Sequence, residues 1–320
     1  MIRVFDVICI GAALVDMVAQ VDRFPENDDE VFVSKLNIFS GGAAANTAYT
    51  CAKLGLKTSF IGKVGRNDIF GSKILNSFEE GRVHINLLKY SEKYNTGLAY
   101  VVLNKEGERR IYAHSGAANY LSKGDIIENE ISSTKILFLS SLKNTKPFIR
   151  AAEIGRKNYI PVVLNPGMLI IQQGLLNIRQ LLGKIDVLII SQREFQTLFE
   201  LHEKRMSIDL AQDKAEKLHN LGIKALIITL GKNGASLITK DSAEIIPSFK
   251  VNRVIDTTGA GDAFSAGFLY GFSENLSFDF EDLKNNVKIG NFVASRIIEK
   301  LGARNGIPKP EEIDLDNLHI

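Results

Sequence analysis

The chain has no tryptophan, and only 2 cysteines and 7 prolines in 320 residues. The cysteines, Cys9 and Cys51, have no Cys-x-x-Cys partner, which favours free thiols over a disulfide. Both lie in apolar stretches and read as buried free thiols of a reducing compartment. No apolar run reaches the roughly 18 residues that a membrane span needs. The first stretch, MIRVFDVICIGAALVDM, carries one Arg and is broken by Asp6, so it reads as a buried strand rather than a signal peptide. A cytoplasmic protein with no membrane partner is the expectation. Neither sign of charge dominates: 39 basic and 37 acidic residues leave a net +2. That balance gives nucleic acid no electrostatic footprint.

Two nucleotide-binding signatures are missing as well. There is no Gly-x-x-x-x-Gly-Lys-Ser/Thr, and no Gly-x-Gly-x-x-Gly after the first strand. P-loop kinases and nicotinamide dehydrogenases are thereby disfavoured. The five histidines, His84, His114, His202, His219 and His319, lack metal-ligand spacing, which argues against a zinc hydrolase.

What is present is a rhythm of short apolar runs: Val4 to Ile10, Thr58 to Ile61, Ile136 to Leu139, Val162 to Leu164, Val187 to Ile190 and Ala225 to Thr229. They are rich in Val and Ile without strict alternation, as central strands of a parallel sheet are when both faces are covered. Amphipathic stretches with helical spacing lie between them, as at Asn46 to Leu54, Ile208 to Leu221 and Leu283 to Leu301. The pattern predicts α/β architecture with a mostly parallel sheet. Two segments, at about 17–40 and 96–115, break the rhythm. In the second, Lys105-Glu106-Gly107-Glu108 is a hairpin turn between two extended runs. Together they predict a small antiparallel lid at the strand ends, where α/β proteins hold ligands.

The chemistry concentrates in Asp256-Thr257-Thr258-Gly259-Ala260-Gly261-Asp262, followed by the apolar run AFSAGFLYGF. A helix opening near Gly259 would aim its free N–H groups and dipole at one spot, suited to phosphate. Asp262 beside that spot would be a base for an attacking alcohol. A second cluster, Ser40-Gly41-Gly42-Ala43-Ala44-Ala45-Asn46, places an amide that can donate to and accept from hydroxyls. Asp16 follows the first strand and could accept two hydroxyl donors. Glu194 follows another strand and could hold Mg²⁺ through water. Thr229, Gly231 and Gly234 form a strand-ending turn where a nucleotide could approach the backbone.

In this order the motifs resemble the ribokinase-like (PfkB) carbohydrate kinase family, from Val4 to about Ile313. Asp-Thr-Thr-Gly-Ala-Gly-Asp is the more specific signature and Gly-Gly-Ala-Ala-Ala-Asn-Thr-Ala the second. The resemblance implies a single kinase domain over 1–320, a three-layer α/β/α body with the β lid, and a homodimer paired through that lid. It implies Asp262 as catalytic base and Gly259, Ala260 and Gly261 as anion hole. Asp16, Gly41, Gly42 and Asn46 match sugar-binding positions; Thr229, Gly231, Gly234 and Asn291 match the nucleotide site. Glu194 matches the acidic residue associated with Mg²⁺. Asp256 and Thr258, with backbone near Gly302 and Gly306, match a monovalent-cation site, for K⁺, found in some members. Ser191 stands where the family usually has Asn, and Ala43 and Ala44 replace the Lys-Gly of ribokinase itself. The implied activity is ATP-dependent transfer to a primary hydroxyl of a small sugar, of ribokinase or fructokinase type. A ribonucleoside kinase and a non-catalytic sugar sensor are the alternatives.

Overall fold

The computed structural model describes residues 3–202 and 207–313, so His319 lies outside the described residues. Its strands, in chain order, are β1 (Phe5–Gly11), β2 (Leu14–Val21), β3 (Val33–Gly41), β4 (Thr58–Ile61), β5 (Lys63–Gly65), β6 (Lys89–Ser91) and β7 (Thr96–Leu103). There follow β8 (Arg109–Gly116), β9 (Thr134–Ser140), β10 (Val162–Asn165), β11 (Val187–Ser191), β12 (Ala225–Thr229), β13 (Ala235–Ile238) and β14 (Ala243–Ile246). Eight of them form the central sheet in the order β14-β13-β12-β11-β10-β9-β1-β4. It is parallel from β4 to β12 and ends in the antiparallel pair β13 and β14.

The missing alternation in the Val/Ile runs now has a physical cause. On β1, Val7 and Cys9 pack into one apolar cluster, while Ile8 and Ile10 pack into another on the opposite face. On β12, Ala225 and Ile227 divide from Leu226 and Ile228 in the same way. Burial on both faces stabilises each such side chain by about 1.5–3 kcal/mol over exposure. Both cysteines are buried free thiols, as expected. Burial and the adjacent Cys51 push the Cys9 thiol well above its ordinary pKa.

The lid is a separate sheet with order β3-β2-β7-β8. Two hairpins form it, and the second turns at the expected place: the Asn104 carbonyl accepts from Gly107 N–H, with Gly107 at φ 82°. The sheet is not wholly antiparallel. β2 and β7, its central strands, run parallel, because both leave the body in the same direction. It is also longer than expected, from Leu14 to Gly116 rather than from about 17 to 115. Only two residues separate β1 from β2, so Asp16 sits on a lid strand rather than in a loop after β1. β1 pairs with β4 on one side and β9 on the other. This is a topological switch point, the place where open α/β sheets leave a crevice at their carboxyl ends.

Candidate active site

Gly259, at φ 78°, opens the helix Ala260–Asn275. A Cβ there would come within 2.5 Å of the Ala303 Cβ, so both conformation and space require glycine. Every residue from Ala263 to Leu269 is buried, and this core anchoring fixes where the helix points. Of the expected anion-hole donors, the Ala260 N–H is already taken by the Thr257 carbonyl at 3.2 Å. Those of Gly261 and Asp262 meet no acceptor among the described residues. Of the expected Gly-Ala-Gly set only Ala260 is thus occupied, and the Asp262 N–H adds a free donor beyond it.

Asp262 meets the second motif directly. The Asn46 Nδ2 donates to its Oδ2 at 2.9 Å, and the Thr47 hydroxyl donates to its backbone carbonyl at 3.3 Å. Asn46 projects from the helix Ala43–Lys53, which follows Gly42 at φ 95°. The Asn46 amide is engaged on both sides, since its Oδ1 accepts from Arg304 Nε at 2.9 Å. Gly41 lies against Asp16: a Cβ on Gly41 would meet the Asp16 Oδ2 at 2.0 Å. The structure thus gathers Asp16, Gly41, Asn46 and Asp262 at the junction of lid and body. Burial raises the Asp262 pKa to about 7; the Asn46 hydrogen bond and the Arg304 charge oppose that rise, while Asp16 and Glu194 add to it. Burial likewise raises Asp16 to about 6, against the lowering pull of Arg304. A carboxylate poised near neutrality is what general-base work at physiological pH requires.

On the other side of this helix start lies a cavity of about 480 Å³. Thr229, Gly231, Gly234 and Asn291 all line it, together with Ala260 and Gly261. Its apolar part is built from Val251, Val254, Ala294 and Ile298, and Lys232 and Lys250 also line it. A Cβ on Gly231 would enter open space, which suits close approach of a ligand to backbone. Gly234 is different. Its φ of 89° and a 2.0 Å clash with the Ile246 carbonyl make it a structural necessity. The Asn291 amide donates to the carbonyls of Ile246 and Pro247, both at 3.1 Å, so it pins the cavity wall.

Glu194 caps its own helix, Gln192–Leu198: its Oε2 accepts from the Ser191 N–H at 2.7 Å and hydroxyl at 2.9 Å. Its other oxygen takes no hydrogen bond among the described residues. Asp256 accepts from Thr258 N–H and Gly302 N–H, both at 2.9 Å. These hydrogen bonds outweigh the upward pull of burial and hold its pKa below the ordinary value. Asp256 therefore ties the two loops at the candidate cation site. No three His, Cys, Asp or Glu side chains converge as a metal-binding group among the described residues.

Sequence reasoning missed Arg304, which no motif contains. Its only signal is a lone basic residue between Gly302 and Gly306, too common to single out.

A carboxylate at the start of a buried helix, set between a lidded polar junction and a nucleotide-sized cavity, defines a phosphotransferase acting on a hydroxyl group. The comparisons agree. Residues 4–310 match the model of the pfkB family carbohydrate kinases, and the chain belongs to that family. It is 30% identical to a ribokinase of Staphylococcus aureus (strain COL) over 96% of this chain and 98% of that one. Among solved structures it resembles an Arabidopsis thaliana ribokinase complexed with ribose and ATP (25% identity, TM-score 0.86, full coverage of both chains). A Methanocaldococcus jannaschii nucleoside kinase shares the fold at 24% identity and TM-score 0.81, over 99% of each chain.

Proposed function

We propose that the chain, as one kinase domain, transfers the γ-phosphoryl group of ATP to a primary hydroxyl of a small sugar held between Asp16, Asn46 and Asp262. The observation that carries this reading is the position of Asp262. It belongs to the helix start that closes the 480 Å³ cavity through Gly261, and its carboxylate faces Asn46 on the lid side. An acceptor and a donor bound on the two sides would meet there.

The cavity fits a nucleotide: an apolar slot for a base, then glycines with open space at Gly231 and Gly261. When bound, ATP with Mg²⁺ supplies the phosphoryl group and offsets the charge on its oxygens. Glu194 fits an ion carried on phosphates, since Mg²⁺ keeps several waters and takes few protein ligands. Asp16 accepts from the acceptor hydroxyls. Asp262 receives the proton of the attacking hydroxyl, and the N–H groups of Gly261 and Asp262 stabilise charge developing on the phosphoryl oxygens. A K⁺ at Asp256 and Thr258 would stiffen the loops that carry this helix start. No described helix is long and apolar enough to cross a membrane, in keeping with a cytoplasmic enzyme.

The test is a coupled kinase screen of sugars and ribonucleosides with ATP. Turnover with a pentose or hexose is expected; turnover with nucleosides alone would transfer the reading to a nucleoside kinase. Ligand binding without ADP release would leave a sensor. Because burial lifts Asp262 to about 7, kcat/KM should fall on the acid side with a midpoint near that value. A profile flat from about pH 6 to 8 would remove Asp262 from the role of base.

The lid supports the dimer. Residues paired across strands share a face, so Asn37, Val18, Val101 and Ile111 form one row. The row lies two residues along from that of Asp16, on the same face, and Ile111 is 51% exposed. A second copy docked there would bury the row and wall the acceptor site. Ile111→Lys is expected to halve the mass seen by sedimentation and to raise the acceptor KM about tenfold, roughly what 1.4 kcal/mol of lost binding gives. A monomeric wild-type protein would refute the pairing.

A further inference from the structure

Arg304 reaches from the loop after the helix Phe280–Ile297 into the space between two other helices. Its Nη1 donates to the Ser77 hydroxyl at 2.6 Å. The guanidinium lies 5.0 Å from the Tyr49 ring centre and 5.9 Å from that of Phe78. Its Nη2 is buried and finds no acceptor among the described residues. An enclosed guanidinium is costly unless neighbouring groups compensate it. Desolvation lowers its pKa to about 10, which still leaves it charged at neutral pH.

The compensating carboxylates are Asp16 and Asp262, whose charges act on Arg304 together with Tyr49. Neither carboxylate bonds it directly. Asn46 stands between, accepting from Arg304 Nε with Oδ1 and donating from Nδ2 to Asp262 Oδ2. This chain has one consistent direction. Turned over, the amide would set its NH₂ against a guanidinium N–H and its oxygen against a carboxylate.

We propose that Arg304 is a positioning residue for phosphoryl transfer: through Asn46 it aims the Asp262 carboxylate, and its charge favours the ionised form that receives the acceptor proton. The inference rests on Asp262 acting as base. The charged groups that act on Asp262 are Asp16 from the lid strand β2, Glu194 from the helix Gln192–Leu198, and Arg304 itself. Removing Arg304 leaves only carboxylates in that set. A residue with a purely structural role would change stability or kcat without moving the titration of the base.

The experiment measures acceptor kcat/KM against pH at saturating ATP for Arg304→Met, Arg304→Gln and Arg304→Lys. Met keeps an apolar side chain in the space beside Tyr49, Gln keeps an N–H for Asn46, and Lys keeps the charge. In the neutral variants the acid-side midpoint should rise by about one pH unit, the smaller end of what a neighbouring charge does. Activity would then fall about tenfold below the midpoint and much less above it. Arg304→Lys should restore the midpoint, and the nucleotide KM should be unchanged throughout. A folded neutral variant with the wild-type midpoint would overturn the proposal. If neither neutral variant folds, Arg304→Lys decides: the midpoint held with kcat cut about tenfold, as expected for one lost charged hydrogen bond, supports it, and full kcat overturns it. Asp262→Asn in parallel separates the two readings. An active Asp262→Asn enzyme removes the base itself; an inactive one beside an unshifted Arg304→Met profile removes only the role of Arg304.

Discussion

Asp262→Asn is expected to lower kcat by about 10³-fold, within the range that a positioned general base contributes, while nucleotide affinity stays within about twofold. The substitution is nearly isosteric. The Asn46 Nδ2 keeps an acceptor in the new amide oxygen, so the helix start should not move. What is lost is a group that can receive a proton. The same change should make the protein more stable. Burial raises the folded pKa of Asp262 to about 7 from an ordinary 3.8. The folded state therefore binds this proton more tightly than the unfolded chain does. The stability from this group is fully present below about pH 4 and is lost as pH rises through about 7. The amide has no ionisation to oppose folding. The Tm gap between variant and wild type should therefore open between about pH 4 and 7 and stay level above. Its plateau should be about 1–2 °C, the shift that roughly 1 kcal/mol produces in a chain of this size, after discounting for the opening of the carboxylate onto the cleft. Thermal melts across pH, together with single-turnover assays, read both effects. An inactive variant that is also destabilised at pH 8 would show that Asp262 serves the fold rather than the reaction.

The body of the fold was legible because its causes are local in sequence. Strands covered on both faces must be continuously apolar, and the Val/Ile runs say so. The turn that opens the helix Ala260–Asn275 needs small residues next to one another, so Gly259, Ala260 and Gly261 announce it in a single stretch. The parts that depend on distant pairing were not legible. Nothing in Leu14–Val21 or Thr96–Leu103 tells either strand that it will run parallel to the other. The hairpin of β13 and β14 is only four residues to a strand and went unread. Asp16 was placed after the first strand because the two-residue gap before β2 carries no turn signal. Asn291 and Gly234, expected near one another at a nucleotide site, both line the 480 Å³ cavity. Their side-chain and backbone duties there depend on the carbonyl of Ile246, about 45 and 12 positions away, which no local pattern specifies. Arg304 is the extreme case, with a partner at Asn46 some 258 positions off.

Gly261→Val separates binding of the phosphoryl group from integrity of the fold more cleanly than any other change in the motif. Gly259 cannot serve, because its left-handed backbone and the Ala303 contact would make any side chain a folding defect. Gly261 has an ordinary backbone, and a Cβ built on it meets no protein atom within 4 Å. Its neighbours there are empty because the position faces the cavity shared with Thr229, Gly231 and Ala260. In helical conformation the cost of Val relative to other residues is small, well under 1 kcal/mol. The Tm should therefore stay within about 2 °C of wild type. Turnover should not survive. The branched side chain would occupy the space in front of the free N–H groups of Gly261 and Asp262, where removal of even one such donor costs about 10²–10³ in kcat. Loss of both donors and of the space itself should reduce kcat/KM by at least about 10³-fold, with Gly261→Ala intermediate. Acceptor binding, proposed to use Asp16 and Asn46 on the other side, should be nearly intact by calorimetry. A folded Gly261→Val protein with normal kcat/KM would mean that the transferring phosphoryl passes elsewhere.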